Sequence, residues 1–171
     1  MSNPLFHSYL TAPWKTEYVK RRKDPNQCIF CAIAQKTTGI EAWEVFRDDK
    51  IMVLLNRFPY NPGHLLIAPL DHYEQYEALP KELSCHLTII LQQGIKMLKS
   101  THQATAFNIG LNLGNAAGGS IKHLHWHIVP RYLGDLNFME ILETRVLIET
   151  LEQTMIKLRQ HVDILKIKKK I

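Results

Sequence analysis

Three histidines spaced two apart in Ile121-Lys122-His123-Leu124-His125-Trp126-His127-Ile128-Val129-Pro130 constrain this chain more than any other stretch. On a β-strand successive side chains point to opposite faces, so the three imidazoles share one face and Leu124, Trp126 and Ile128 the other. A helix would scatter them around its axis. Just upstream, Asn112-Leu113-Gly114-Asn115-Ala116-Ala117-Gly118-Gly119-Ser120 reads as a glycine-rich loop. Backbone N–H groups in such a loop can converge on an anion, because glycine tolerates positive φ and close approach. A cradle for an anion followed by a row of imidazoles points to chemistry on a phosphate. A polar strand face beside a flexible loop is the plainer alternative.

At 171 residues the chain is most simply one domain, burying roughly 70% of its unfolded surface. Hydrophobic residues make up 46% and charged ones 22%, an ordinary globular composition. No apolar run approaches the roughly 18 residues of a membrane span. Residues 1–7 lack a charged segment followed by an apolar core, so no secretory signal is visible. Three cysteines, an odd number, argue against a disulfide framework. A cytoplasmic protein is therefore expected, with no membrane partner. The net charge of +5 favours anionic partners. Much of the excess lies in Lys20-Arg21-Arg22-Lys23 and in Lys166, Lys168, Lys169 and Lys170. Neither cluster is interleaved with aromatics, as a nucleic-acid surface would be, so solvated segments are expected and no specific nucleic-acid partner.

Residues 1–27, interrupted by Pro4, Pro13 and Pro25, read as an arm, with Trp14 and Tyr18 anchoring it. A short helix is expected over residues 28–34. Strands are expected over 41–46 and 51–55, with Asp48-Asp49 at the turn, and over 64–68, ended by Pro69. Residues 71–79 and 81–100 read as helices, the second from Leu83, Leu87, Ile90, Leu91, Ile95 and Leu98 at three- and four-residue steps. A strand over 106–111 leads into the loop and the histidines, and a helix follows over about 144–162. Consecutive strands with tight turns and long helices imply an α+β fold, an antiparallel sheet with flanking helices. The organisation is an arm (1–27), a main domain (28–140), and a C-terminal helix and basic tail (141–171) packed on it.

A neutral imidazole is a competent nucleophile near neutral pH, its reference pKa being about 6.5. Attack on a phosphorus would give a covalent phosphorus–histidine intermediate and split one hard displacement into two easier ones. With no acidic metal cluster visible, charge must be stabilised by donors: Asn112, the amides of Gly118 and Gly119, and the Ser120 hydroxyl. Cys28 and Cys31 have the two-residue gap used to chelate zinc, and a tetrahedral site needs two more ligands. Two buried free thiols or a redox pair are the alternatives. Cys85, on the apolar helix, reads as a core residue. His7, His86, His102 and His161 carry no signal.

His123-Leu124-His125-Trp126-His127-Ile128-Val129 resembles the signature of the histidine triad (HIT) family, His-φ-His-φ-His-φ-φ with φ apolar. Ala12-Pro13-Trp14-Lys15-Thr16-Glu17-Tyr18, Cys28-Ile29-Phe30-Cys31, Asn56-Arg57-Phe58-Pro59-Tyr60-Asn61-Pro62-Gly63-His64 and Gly134-Asp135-Leu136-Asn137-Phe138 are similar to its diadenosine tetraphosphate phosphorylase branch. The resemblance implies a HIT-like α+β fold, usually paired as a homodimer. It places the nucleophile at His125, a phosphate-oxygen or leaving-group contact at His127, protonated when charge develops, and an orienting role at His64. It gives Asn56 to the ribose hydroxyls, with Phe30, Val53 and Leu55 near the base; ordinary core packing is the alternative for those three. It completes Cys28 and Cys31 with His72 and His123 as a closed, structural zinc site; no catalytic cofactor is evident. Many triad hydrolases carry glutamine before the loop Ser/Thr, where this chain has Gly119. That departure fits the phosphorylase branch, a smaller residue leaving room for inorganic phosphate. The expected function is a nucleotidyl transferase that cleaves dinucleoside polyphosphates with phosphate as acceptor. A HIT hydrolase of dinucleoside polyphosphates or nucleoside phosphoramidates is the alternative within enzymes. A nucleotide-binding signalling module without turnover is the alternative outside them. A metal-dependent barrel hydrolase built on His-x-His is excluded by length, since such barrels run to about 250 residues.

Overall fold

Short apolar runs separated by turn residues build the sheet, and each strand owes its limits to the turn beside it. The computed structural model describes residues 28–134 and 149–166. Helix α1 (Ile29–Ala34) is capped by the Cys28 side chain, which accepts from the Cys31 amide. Strands β1 (Glu44–Arg47) and β2 (Ile51–Leu55) are joined by the expected aspartate turn, where Asp48 Oδ1 accepts from the amides of Lys50 and Ile51 at 2.9 Å each. Strand β3 (Leu65–Pro69) follows, then helix α2 (Lys81–His102), β4 (Ala106–Gly110), β5 (Trp126–Arg131) and α3 (Leu151–Gln160). The five strands lie in the order β1-β2-β3-β5-β4, each pair antiparallel.

Register decides which residues face which way. Val53, Ile67 and Trp126 are partners across three strands, and so are Leu54, Leu66 and His127. Because pairing alternates with the pleat, the first row faces α2 and the second faces α1. Leu83, Leu87, Ile90, Met97 and Leu98 of α2 close the core over the first face, joined by Leu158 and Leu165 from the C-terminal segment. Gly94 allows that approach, since a Cβ there would lie 2.7 Å from Ile128 Cδ1. Phe30 of α1 covers the second face, against Met52, Leu54 and Ala68. Helix α3 begins with a capping box: Thr150 Oγ1 accepts from the Gln153 amide, and the Thr150 amide donates to Gln153 Oε1.

Three expectations need correction. Residues 71–79 form no helix beyond one 3-10 turn at Tyr76–Ala78. Nearly every side chain there is exposed, and without a buried stripe an isolated helix of that length does not hold. Cys85 is exposed rather than in the core, because α2 buries the stripe through Leu83 and Leu87 and turns position 85 away. The histidine strand starts at Trp126, so His123 and His125 lie ahead of it. The chain is drawn off the sheet there: the Leu124 amide donates to the Tyr73 carbonyl at 2.7 Å, and His123 Nε2 to the Pro69 carbonyl at 3.0 Å. The arm at 1–27 with Trp14 and Tyr18, residues 135–148 and most of the basic tail lie outside the described residues. Among the described residues, no helix is long and apolar enough to cross a membrane.

Candidate active site

The loop after β2 delivers His64. The His64 amide donates to the Asn61 carbonyl, and the Asn56 amide donates to the His64 carbonyl. Gly63, at φ +83°, makes the turn against Leu98 and His102. The buried His64 ring meets the Tyr60 backbone N–H, which donates to His64 Nδ1 at 3.1 Å, and Asn56 Nδ2 lies 3.2 Å from the same nitrogen. A nitrogen that accepts from a backbone amide carries no proton, so the His64 proton sits on Nε2 and is donated to His127 Nδ1 at 2.9 Å. The neutral His127 proton must then be on Nε2. That nitrogen is buried and has no partner among the described residues. It is a donor poised for an incoming oxygen.

His125 is fixed the other way round. Its Nδ1 donates to the His123 carbonyl at 2.7 Å, which leaves the Nε2 lone pair available for attack. The ring, 9% exposed, lies between Phe30 at 4.8 Å and His127 at 5.0 Å between centroids. Burial lowers His125 from its ordinary value, and burial followed by the neighbouring His125 pushes His127 down to about 4. Both imidazoles are thus neutral at neutral pH. The positive charge expected on His127 has to be induced by an anionic partner and is absent from the site itself.

His123 turns away from this pair. Its Nδ1 lies 3.4 Å from Cys28 Sγ and 3.5 Å from Cys31 Sγ, and His72 Nδ1 lies 3.2 Å from Cys31 Sγ. The four ligand atoms fall within 4.8 Å of one another. Burial pushes the His123 imidazole down to about 4, the neutral form that binds metal. Burial, then the Cys28 thiol, pushes the Cys31 thiol up to about 11. Half-buried sulfurs so close do not readily carry charge together unless a cation neutralises them. Among the described residues the group consists of two thiols and two imidazoles, the number of ligands a closed zinc site needs, and the Pro69 carbonyl orients His123 from behind. The residues therefore fit a metal ion.

The glycine-rich loop departs from expectation. The Gly118 amide donates to the Asn115 carbonyl and the Gly119 amide to the Gly114 carbonyl, both at 3.0 Å. The two amides expected to cradle an anion instead close the loop on itself. Gly119 leaves no space either: a Cβ there would lie 2.9 Å from the carbonyl oxygens of Asn112 and Gly114. Ser120 and Asn112 are exposed, and Asn112 shares a cleft with His127. Asn56 lies against His64, its Oδ1 accepting from the Phe58 amide at 3.0 Å. Val53 and Leu55 are buried on the α2 face, away from the histidines, and Met52 and Leu54 occupy the face expected of them. Tyr60 was missed: its ring lies 4.8 Å from His64 and its amide sets the His64 tautomer, while only its place four residues before His64 hinted at it.

A model of the HIT domain matches residues 37–134, more than half of the chain. The chain belongs to the HIT family. A relative named AP-4-A phosphorylase, from Mycobacterium tuberculosis, is 37% identical over 143 residues, covering 78% of this HIT chain and 72% of that protein. An uncharacterised HIT-like protein of Methanocaldococcus jannaschii is 35% identical over 63% of this chain and 81% of its own length. Among solved structures, a zinc-bound histidine triad family protein from Mycobacterium smegmatis superposes with a TM-score of 0.68 at 27% identity, covering 80% of this chain and 94% of that one. A hypothetical histidine triad nucleotide-binding protein from Sulfolobus tokodaii gives 0.67 at 27% identity over 80% and 92%.

Proposed function

We propose that this HIT protein cleaves dinucleoside polyphosphates by nucleotidyl transfer through His125, with inorganic phosphate as the second acceptor. One observation carries the reading: an imidazole with a lone pair on Nε2 stands beside another with a proton on Nε2. His125 Nε2 attacks the α-phosphorus and forms a P–N bond. The P–O bond to the rest of the substrate breaks, and the leaving oxygen takes its electron pair with a hydrogen bond or proton from His127 Nε2. His64 acts through His127 as a positioning residue. A phosphate oxygen then attacks the same phosphorus; the new P–O bond forms as the P–N bond breaks and returns its electron pair to His125 Nε2, giving a nucleoside diphosphate. Asn112 and Ser120 contact phosphate oxygens in this scheme, and Asn56 and Phe30 face the retained nucleoside. The similarity to the mycobacterial AP-4-A phosphorylase supports phosphate over water.

Cys28, Cys31, His72 and His123 hold a structural zinc in this reading, supported by their mutual distances and by the zinc-bound relative. When bound, the ion supplies a cross-link between α1 and the histidine segment. An exposed β4 edge, with Ile109 46% accessible, supports a homodimer, and we place the protein in the cytoplasm.

Incubation with diadenosine tetraphosphate, with and without millimolar phosphate, tests the proposal. ADP plus ATP, formed faster with phosphate and not at all by His125→Ala, is the expected result. AMP formed at one rate in both conditions would refute the phosphorylase reading and leave a hydrolase. No product at all would leave a nucleotide-binding module.

A further inference from the structure

Metal binding asks only that Cys28 and Cys31 reach a common point, yet their placement also suits a bond between them. Cys28 is the N-cap of α1 and Cys31 stands in its first turn. Residues three apart on a helix have Cα atoms about 5 Å apart, inside the roughly 4.4–6.8 Å that a disulfide spans. Both sulfurs point the same way. Cys28 Sγ accepts the Cys31 amide at 3.5 Å, and His123 Nδ1 lies 3.4 Å from Cys28 Sγ and 3.5 Å from Cys31 Sγ. The sulfurs themselves are within 4.8 Å of each other. The pair is also accessible and isolated. Both cysteines are half-buried, and the His72 side chain beside Cys31 is 37% exposed. Cys85 is no competing partner, because α2 packs on the opposite face of the sheet from α1.

Paired thiols at a helix start, open to solvent and two residues apart, oxidise reversibly. We propose that Cys28 and Cys31 are a peroxide-sensitive dithiol whose closure to a disulfide disables the metal site and frees the His123 ring. The inference rests on the structural-zinc reading for the ion that is lost, but the thiol chemistry is tested separately. One deprotonated sulfur attacks an oxygen of hydrogen peroxide: an S–O bond forms, the O–O bond breaks, and hydroxide leaves with the electron pair. The second sulfur, also deprotonated, attacks the first; the S–S bond forms, the S–O bond breaks, and a second hydroxide leaves. The sulfurs lose two electrons, the peroxide gains two, and protons from solvent turn both hydroxides into water. His72 and His123 then remain as two ligands where a tetrahedral site needs four. The effect reaches the candidate active site through His123, whose carbonyl accepts the His125 Nδ1 proton. It also reaches it through Phe30, which lies inside the closed ring and packs 5.5 Å from His123 and 4.8 Å from His125.

Full-length Cys85→Ser protein, loaded with zinc and freed of excess ion, carries this pair as its only thiols. Titration with hydrogen peroxide is expected to release about one zinc per chain, read with a chromogenic chelator. Both thiols should disappear together, and the mass of the unreduced chain should fall by two hydrogens. The His123 ring-nitrogen resonances should lose their metal-bound positions, and a dithiol reductant with added zinc should restore metal, thiols and resonances. Cys28→Ser in the same background should gain oxygen instead of losing two hydrogens. Zinc and both thiols that survive peroxide sufficient to close a peptide carrying Cys28-Ile29-Phe30-Cys31 would overturn the inference. Added oxygen or cross-linked chains in place of the internal disulfide would overturn it as well. A disulfide that closes in protein unable to take up zinc would refute the structural-zinc reading and leave the dithiol standing.

Discussion

Replacing Gly119 with alanine tests how the glycine-rich loop is built. The new Cβ would lie 2.9 Å from two carbonyl oxygens, those of Asn112 and Gly114, about half an ångström inside the 3.4 Å at which ordinary contact begins. Both obstacles are backbone, so neither can swing aside as a side chain would. Relief requires Gly119 to move off Gly114, whose carbonyl also accepts the Gly119 amide at 3.0 Å and the Ala117 amide at 3.2 Å. Overpacking of this kind costs about 1–3 kcal/mol, and a lost loop hydrogen bond adds about 1 kcal/mol. Taken together, about 2–4 kcal/mol lowers the melting temperature by roughly 5–15 °C in a chain of this size. Two internal controls isolate the cause. Gly118→Ala meets open space but sits at φ +83°, so it should cost about 1–2 kcal/mol, the left-handed penalty alone. Gly110→Ala has neither problem and should melt close to wild type. Scanning calorimetry of the three variants at fixed metal and buffer gives the order. If Gly119→Ala melts within about 2 °C of wild type, or above Gly118→Ala, the loop closure described here is wrong. The same geometry means that glutamine at this position would report loop collapse before any change of acceptor.

Two further outcomes follow from the buried imidazoles and the metal cluster. Removing the metal with a chelator, or by Cys28→Ser, should lower the melting temperature by about 10 °C, as expected for an ion held some thousandfold above its dissociation constant; a metal-free protein with unchanged melting would show that the four side chains hold no structural ion. Burial pushes His127 down to about 4, whereas in the unfolded chain it titrates near 6.5, at about the reference value. Its contribution is therefore complete above about pH 6.5 and is lost as pH falls through about 4, because the unfolded state binds the proton first. Urea midpoints of wild type should fall more steeply over that window than those of His127→Gln, and parallel curves would contradict the burial.

Alternation made much of the sheet readable. Ile51–Leu55 appears at its expected bounds and Ala106–Gly110 is one residue shorter than expected, because each is an apolar run bounded by turn chemistry. The α2 stripe was readable for the same reason, and the helix runs two residues further, to His102. Residues 71–79 were not, since Tyr73, Tyr76 and Leu79 mimic a helical period, yet Tyr73 and Leu79 only half-bury against the core and Tyr76 meets Trp126 from an exposed position. At Val53 and Leu55 the alternative of core packing holds, because on a strand a shift of one residue exchanges the core for the site. At the candidate site, composition pointed to the histidines and cysteines, but not to the Tyr60 amide that sets a tautomer or to the loop carbonyls that occupy the Gly118 and Gly119 amides. Such bonds depend on backbone direction, which residue identity does not specify.

The least legible feature is the division of labour inside the histidine row. Alternation in sequence implies three equivalent rings on one strand, yet His123 precedes the strand and its ring turns towards Cys28 and Cys31. Its backbone does the opposite, because the His123 carbonyl is the acceptor that holds the His125 Nδ1 proton. One residue thus offers an imidazole nitrogen to the Cys28, Cys31 and His72 cluster and an oxygen to the proposed nucleophile, His125. A ligand that immobilises the His123 ring also immobilises the peptide that selects the His125 tautomer, with Phe30, between the two cysteines in sequence, packed at 5.5 Å from His123 and 4.8 Å from His125. The spacing His-x-His is what this coupling requires. Two residues further, His127 already pairs through Nδ1 with His64 and cannot present the same lone pair.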